Sequence, residues 1–340
     1  MAENTKSIQK LSNVASVLAG GAGVVTAAAM AAAGGWILYS NLGINHKMPL
    51  RNAIEADQQV LFGGYSGKLA CYGDRQAKGR PLVLIHSLNA AASSFEMHPL
   101  FDYYRSRRPV FALDLPGFGF SERSRRIYRP LLYRDAILDM LATQVGEPAD
   151  VVALSLGCEF AARAAVSQPE RFNSLALISP TGLSRPGSGK SSQRASFDGR
   201  SDQIHDFLSQ KLWSRALFDL IATRRSIQFF LQRSFMGAIA PGMVEYAYLT
   251  AHQPGAQYAP LYFISGKLFT PAVLTTVYEI LKVPTLVIYD RDGFTRFDML
   301  SDLQSKNIKV HSVRIAPSLG LPQFEKPAET IRALDNFWEE

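Results

Sequence analysis

The sequence predicts an α/β protein: a mostly parallel β-sheet with helices on both faces, a helical insertion above the sheet, and one N-terminal transmembrane helix. Three observations predict this class. From about residue 81 onward, short apolar runs alternate with helical patterns, which is typical of a parallel sheet. Between 181 and 270 this alternation stops and the spacing becomes mainly helical. Residues 11–45 contain no charged side chain.

Length and composition limit the class further. The chain has 340 residues, of which 47% are hydrophobic, and a formal net charge of +7. This is enough for one large domain with an extra segment. No nucleic-acid-binding module accompanies the charge, so we expect an anionic membrane surface as the partner and no nucleic acid, although a solvated surface would look the same. Cys71 and Cys158 lie far apart in apolar contexts, which indicates buried free thiols and no metal site; we expect no cofactor.

The N-terminal segment is the first element. Residues 14–39 would be about 39 Å long as a helix, which is enough to cross a bilayer with tilt. Basic residues flank the segment on both sides, and Trp36 and Tyr39 lie where an interfacial aromatic belt is expected. We therefore expect a single-pass membrane anchor whose orientation the flanks do not specify. A signal peptide cleaved near 31–33 and a buried or disordered Ala/Gly segment are the alternatives.

Small residues recur at every fourth position of this segment. They are Ala15, Ala19, Gly23, Ala27, Ala31 and Gly35. Such a stripe lets a second helix approach closely, so it is a candidate contact with other membrane-protein subunits. In a segment this rich in alanine and glycine, the same stripe also arises by chance.

A globular domain follows the N-terminal segment. We expect strands at 58–62, 68–72, 81–86, 109–113, 151–154, 174–179, 285–289 and 308–315. We expect helices at 90–104, 133–145, 159–168, 202–236, 271–282, 295–304 and 328–338. The predicted division is a tail with the membrane helix at 1–50, a core at 51–180 and 271–340, and a helical cap at 181–270. The cap either covers apolar surface or acts as a lid that shapes a pocket.

A serine at a strand–helix junction is the candidate reactive group. An apolar run at 151–154 leads into Ser155, and a helical pattern starts after Gly157. Small residues at positions 153 and 157 would let the neighbouring backbones pass a tight, strained turn that exposes the hydroxyl. The backbone N–H of Leu156 would then be free to bind an oxyanion. A serine in an ordinary loop has the same local pattern, so the motif alone does not decide.

Four motifs in chain order resemble those of the α/β-hydrolase fold superfamily. They are 84–87, 114–121, 153–157 and 321–327, and the helical insertion lies in the expected gap. The chain is most similar to the single-domain type with a helical cap, which includes esterases, haloperoxidases, C–C bond hydrolases and epoxide hydrolases. The resemblance covers 81–184 and 283–340, about half of the chain.

The resemblance implies roles for individual residues. It places Ser155 at the nucleophile position, and the backbone N–H groups of Leu88 and Leu156 at the oxyanion positions. Relatives usually have glycine after the histidine of the first motif, where this chain has Ser87 after His86. His86 itself is expected to have a structural role.

The acid and base positions depart from the family pattern. The motif that ends on the triad acid in relatives places Gly293 at that position, with Asp292 one residue earlier as a stand-in acid. The position of the triad histidine is Gly320. The other histidines are poor substitutes, because a base must lie within hydrogen-bond reach of the hydroxyl. They are His46, His98, His205, His252 and His311.

A serine hydroxyl without an adjacent base is a weak nucleophile. The sequence therefore predicts a membrane-anchored pseudo-hydrolase, a fold kept as a binding or assembly subunit. Two alternatives remain open. One is an active serine hydrolase on an ester or lipid-like substrate, using Ser155 and Asp292 with a non-standard base. The other is a binder that holds an apolar ligand without turnover.

Overall fold

The computed structural model describes residues 29–185 and 200–339, and its central feature is an eight-stranded sheet. The strands are β1 (Asp57–Gly63), β2 (Gly67–Asp74), β3 (Leu82–Ile85), β4 (Val110–Asp114), β5 (Ala149–Leu154), β6 (Phe172–Ile178), β7 (Thr285–Arg291) and β8 (Val310–Leu319). Their order across the sheet is β1-β2-β4-β3-β5-β6-β7-β8. β2 pairs antiparallel with β1 and β4, and all pairs from β4 to β8 are parallel. The predicted mostly parallel sheet is confirmed.

Helices connect the strands. In the described ranges they are α1 (29–43), α2 (His98–Tyr104), α3 (Pro130–Met140), α4 (Gly157–Ser167), α5 (Arg200–Leu208), α6 (Ser214–Ile221), α7 (Arg224–Gln232), α8 (Met243–Ala251), α9 (Tyr258–Ile264), α10 (Val273–Thr276), α11 (Leu300–Lys306), α12 (Pro322–Glu325) and α13 (Pro327–Glu339). Shorter helical turns lie at Ser94–Met97, Leu141–Val145, Pro169–Arg171 and Tyr278–Ile280.

Helices cover both faces of the sheet, because the parallel strands are apolar on both sides. β3 and β5 are buried at every position, which is typical of strands in the centre of such a sheet. Alternate residues of β5 belong to two different cores. Val151 packs with α3 and α4 on one face, and Val152 packs with α2 and α13 on the other.

Helices α5–α9 lie between β6 and β7 and cover the carboxyl ends of the parallel strands. Phe218 of α6 forms a small apolar cluster with Ala251 and Ala256, and this cluster contacts Ala90 and Ala91 in the loop after β3. The insertion therefore lies over the part of the sheet where ligands bind in open α/β folds.

The predicted transmembrane helix at 14–39 needs correction. No helix among residues 29–185 and 200–339 is long and apolar enough to cross a membrane. This finding contradicts the predicted transmembrane helix and the single-pass membrane anchor that depends on it. Residues 14–28, with Ala15, Ala19, Gly23 and Ala27 of the small-residue stripe, lie outside the described residues. Ala31 and Gly35 are exposed on α1.

The described part of that segment, α1, packs on the cap. The Trp36 indole donates a hydrogen bond to the Ala216 carbonyl (2.8 Å), and the Ser40 hydroxyl donates to Asp219 (2.6 Å). His46 Nε2 lies 3.0 Å from the same carboxylate. Asp219 is only 1% exposed, and a buried carboxylate is costly unless hydrogen-bonded, so these contacts fix α1 to α6. Trp36 thus binds the protein itself, whereas its spacing suggested a membrane interface.

The helix expected at 271–282 is shorter than its pattern suggested. Only α10, a single turn, and a following helical turn form there. Ala272 has φ +47°, outside the helical region, and three of the four residues of α10 are β-branched, which lowers helix propensity.

Candidate active site

Ser155 lies at the apex of the turn between β5 and α4. Its φ of +51° is in the left-handed region, where a non-glycine residue is strained and which is common at functional sites. The Ser155 N–H donates to the Ile178 carbonyl (2.9 Å), and its carbonyl accepts from the Cys158 N–H (3.1 Å). The side chain is half-buried. The turn therefore holds the serine in the conformation that a nucleophile position requires.

Gly157 allows this turn to approach the neighbouring strand. A Cβ atom at this position would lie 2.4 Å from the His86 carbonyl oxygen, so a larger residue would clash with backbone. β3 and β5 are parallel neighbours, with Ile85 opposite Ala153. The serine turn and the loop after β3 are therefore adjacent at the same edge of the sheet.

Leu88 and Leu156 lie on these two adjacent segments. In the described parts of the chain, no acceptor takes the backbone N–H of either residue. Both residues are buried, and Leu156 directly precedes α4. Free N–H groups can stabilise a developing negative charge, so these two meet one requirement of an oxyanion hole.

Glu96 holds the loop after β3, and sequence reasoning missed it. Its buried carboxylate accepts the Ser87 N–H (2.8 Å) and the Asn89 side-chain amide (3.1 Å). The Ser87 N–H is thereby used, and the N–H of the next residue, Leu88, is left free. The stretch 90–104 contains two acidic residues, Glu96 and Asp102, and nothing in the sequence distinguishes the buried one from the exposed one.

His86 has no free ring nitrogen. Nε2 accepts from the Leu115 N–H (3.0 Å), so Nδ1 carries the proton and donates to the Ser87 carbonyl (2.5 Å). Burial lowers the pKa of His86, although the carboxylates of Glu96 and Asp114 act in the opposite direction. The ring therefore joins two loops and is not placed to carry protons to a substrate.

Asp292 and Gly320 lie next to each other. A Cβ atom built on Gly320 would be 2.9 Å from Asp292 Oδ2. Asp292 Oδ1 accepts the N–H groups of Phe294 (2.6 Å) and Thr295 (3.1 Å). Burial raises the pKa of Asp292, while those two donors oppose the shift. Oδ2, which faces Gly320, has no hydrogen-bond partner within the described ranges.

Gly293 is in a different environment. A Cβ atom there would lie 2.4 Å from the Arg233 carbonyl oxygen. The Arg233 guanidinium also donates to the Gly293 carbonyl (2.8 Å). The end of α7 therefore packs against position 293, and Asp292, not position 293, presents its carboxylate toward Gly320.

All six histidines lie within the described residues, and none of them hydrogen-bonds to Ser155. His205 packs against Tyr262, with ring centroids 3.9 Å apart and ring planes tilted by 42°. His252 Nδ1 lies 2.7 Å from the Tyr248 carbonyl. His98 Nδ1 lies 2.9 Å from the Phe95 carbonyl. Of the other three, His46 lies within hydrogen-bond distance of Asp219, His86 is buried directly after β3, and His311 is exposed at the start of β8.

Glu159 is another buried carboxyl that the sequence did not reveal. It lies on α4 and is 0% exposed. The Thr181 hydroxyl donates to one oxygen (2.5 Å), and the Thr270 N–H donates to the other (2.7 Å). Thr181 follows β6 and Thr270 precedes α10, so this side chain ties together the two ends of the cap. Burial raises its pKa to about 7, against its hydrogen bonds and Arg163.

Replacing Glu159 with glutamine should flatten the pH dependence of stability. In the folded protein the carboxyl keeps its proton up to about pH 7, whereas the unfolded chain releases it near pH 4.5. The folded state therefore binds more protons between these values, and its free energy of unfolding falls there by about 3 kcal/mol as pH rises. Urea denaturation at several pH values should show this fall in the parent, relative to Glu159→Gln. Parallel curves for the two proteins would contradict it.

Comparison with known proteins gives a result consistent with the fold described above. A family model described as the alpha/beta hydrolase family matches residues 82–333. The chain is 32% identical over 143 residues to 2-hydroxymuconate semialdehyde hydrolase of Pseudomonas putida, covering 39% of this chain and 46% of that protein. It is 33% identical over 114 residues to the uncharacterized hydrolase YugF of Bacillus subtilis (strain 168), covering 33% and 41%. The matches thus span less than half the length of either relative.

A solved structure extends the similarity of fold. The crystal structure of a membrane phospholipase A, described as a novel bacterial virulence factor, matches with a TM-score of 0.66. The match covers 97% of this chain and 98% of that one, at 20% sequence identity. At this level of identity the match shows a shared fold.

Proposed function

The chain belongs to the alpha/beta hydrolase family, and from this premise we propose that it is a pseudo-hydrolase that serves in binding or assembly. The observation that carries the proposal is the pair formed by Asp292 and Gly320. A carboxylate oxygen faces the position where the family has its histidine, and glycine occupies that position. The acid half of the catalytic pair is thus kept, while the base is missing.

The chemistry of Ser155 supports the same proposal. Its hydroxyl has no hydrogen-bond partner among residues 29–185 and 200–339, so nothing there is placed to take its proton. Without a base the hydroxyl attacks slowly at neutral pH. The free N–H groups of Leu88 and Leu156 would still bind an oxyanion. In a serine hydrolase that lacks triad members, such groups and substrate binding leave roughly 10³–10⁴-fold acceleration over water, far below normal turnover.

An active serine hydrolase is the alternative that the test must distinguish from a pseudo-hydrolase. It would require His205 or His252 to leave its present contacts and reach Ser155.

Two cavities among the described residues give little support to the other alternative, a binder of an apolar ligand. One of about 510 Å³ lies between β8 and α13, and one of about 120 Å³ lies beside Arg125 and Tyr262; Ser155 lines neither.

The proposal is tested by hydrolysis of p-nitrophenyl acetate. The parent should turn over slightly above background, and Ser155→Ala should change this rate by less than about twofold, because a serine without a base contributes little. Ser167→Ala, on the exposed end of α4, is the matched control. A fluorophosphonate probe should label the parent and Ser155→Ala to the same low extent.

Robust turnover that Ser155→Ala removes and Ser167→Ala retains would refute the proposal. In that case His205 and His252 become the residues to replace, since both lie in the cap. Rapid fluorophosphonate labelling confined to Ser155 would have the same meaning.

A further inference from the structure

Exposed apolar side chains are concentrated on one part of the cap. We call residues 207–236, which include α6 and α7, the cap face. Its large apolar residues that are about half or more exposed are Phe207, Leu212, Leu220, Phe229, Phe230 and Met236. Single exposed apolar residues are ordinary, but several on one short segment mark an interaction surface.

Helix α7 illustrates how little of this apolar area the described residues bury. Of its nine residues only Ile227 is buried. The rings of Phe229 and Phe230 contact each other edge to face, with centroids 5.4 Å apart, and both are exposed. A short helix gains most of its stability from packing an apolar face, so this helix has apolar area left to bury.

The charges of the cap face have a single sign toward solvent. It carries five basic side chains, Lys211, Arg215, Arg224, Arg225 and Arg233, and one acidic side chain, Asp219. Asp219 is buried under α1 and is bound by Ser40 and His46. Apart from Arg224, which pairs with Glu245 of α8 at 2.9 Å, no basic residue of the face has an acidic partner in the described ranges.

Helix α1 extends this surface. Its contacts with Ala216 and Asp219 fix it beside α6, and on its other side Leu38, Tyr39 and Leu42 are between 58% and 78% exposed. These side chains add apolar area next to the basic cap face. The combination of exposed aromatic and aliphatic side chains with lysine and arginine is typical of helices that lie in a lipid interface.

We propose that the cap face and the exposed side of α1 bind an anionic lipid surface, with the helices lying in the plane of the headgroups. The apolar side chains would enter the boundary between headgroups and acyl chains, and the basic side chains would contact lipid phosphates. No helix has to cross the bilayer. A second copy of the chain fits less well, because two such faces would bring ten basic side chains together.

This surface adjoins the candidate active site. Ser234, two residues after α7, has its Cβ 3.7 Å from the position of a Cβ at Gly320. Lipid binding by the cap face would therefore bring the carboxyl edge of the sheet close to the membrane surface. The inference does not depend on whether Ser155 is reactive.

Vesicle sedimentation with the full chain tests the proposal. Vesicles of equal parts phosphatidylcholine and phosphatidylglycerol should bind the protein at least about tenfold more tightly than vesicles of phosphatidylcholine alone. The reason is that each basic residue near an anionic surface raises the binding affinity about fivefold. The preference should shrink between about 0.1 M and about 1 M salt, where the Debye length falls from about 10 Å to about 3 Å.

Matched variants assign the binding to the cap face. Phe229→Ser/Phe230→Ser should weaken binding by about tenfold or more, whereas Ile308→Ser, at an 85% exposed site before β8, should not. Lys211→Gln/Arg225→Gln should weaken binding by about 25-fold, in contrast to Lys282→Gln/Lys309→Gln at the amino ends of β7 and β8. All variants retain residues 1–28, so vesicle contacts of that segment are common to them. Thermal unfolding checks that each variant is folded.

Equal binding to both kinds of vesicle would overturn the proposal. So would cap-face variants that sediment like their controls. If size-exclusion chromatography instead showed a dimer that Phe229→Ser/Phe230→Ser dissociates, with vesicle binding unchanged, the surface would be a contact between two copies of this chain.

Discussion

Replacing Gly320 with histidine is expected to raise the rate of p-nitrophenyl acetate hydrolysis by about 10²–10⁴-fold, which is the usual value of a well-placed general base. The reason is the position of Asp292, whose free Oδ2 lies 2.9 Å from where the new Cβ would be. A small shift of that oxygen makes room for the side chain. The carboxylate would then orient the imidazole and stabilise its protonated form, as the acid of a triad does.

The backbone at position 320 sets a cost on this replacement. Gly320 has φ +87°, a conformation that costs a side chain about 1–2 kcal/mol. Histidine and asparagine tolerate it better than most residues, so Gly320→Asn is the matched control with similar strain and no base. It should leave the rate unchanged. Any gain with asparagine equal to that with histidine would mean that the histidine does not act as a base.

Two double variants identify the partners of the new histidine. Gly320→His/Ser155→Ala should lose the whole gain, because no nucleophile remains. Gly320→His/Asp292→Asn should lose most of it, because the imidazole is no longer held in the correct tautomer. Gly293→Asp, the replacement that family spacing suggests, is not expected to help. Its Cβ would lie 2.4 Å from the Arg233 carbonyl oxygen.

Replacing Asp114 with alanine is expected to lower the free energy of unfolding by about 2–5 kcal/mol. The side chain is fully buried at the end of β4. One carboxylate oxygen accepts the Ser94 N–H (3.0 Å), and the other accepts the Phe120 N–H (2.9 Å). Each N–H that loses its partner in a buried setting costs about 1–3 kcal/mol. Urea denaturation followed by circular dichroism measures the loss.

Asp102→Ala is the matched control for Asp114→Ala. Asp102 is exposed on α2 and has no side-chain partner among the described residues, so its removal should change stability by less than about 0.5 kcal/mol. Asp114→Asn keeps one acceptor oxygen and should fall between the two. Equal stabilities for Asp114→Ala and Asp102→Ala would show that the loops containing residues 94 and 120 hold without this carboxylate.

Local patterns in the sequence determined much of this protein. Buried parallel strands need apolar residues on both faces, so β3 and β5 could be recognised from continuous apolar runs. The tight turn at Ser155 could be recognised because such a turn requires small residues two positions away on each side. The resemblance to α/β-hydrolases rests on such local motifs, and the family match confirms it. The lack of histidine at position 320 is likewise visible from the residue type alone.

Tertiary contacts decided the rest. Asp292 and Gly320 follow different strands, and only the pairing of β7 with β8 brings them together. Tertiary contacts also bring Glu159 to its partners Thr181 and Thr270, which lie at the two ends of the cap in the sequence.

The charge-free segment at 11–45 is the clearest contrast between local pattern and tertiary structure. Its composition suggested lipid around the helix. In the structure the Trp36 indole donates to Ala216, 180 residues further along the chain, and Ser40 donates to buried Asp219. Hydrophobicity is a property of the segment alone and predicts only that apolar area will leave water. The cap, which is distant in sequence, covers the side of α1 with Trp36 and Ser40, whereas Leu38, Tyr39 and Leu42 remain exposed. Only the folded chain specifies which part of the apolar area the cap covers.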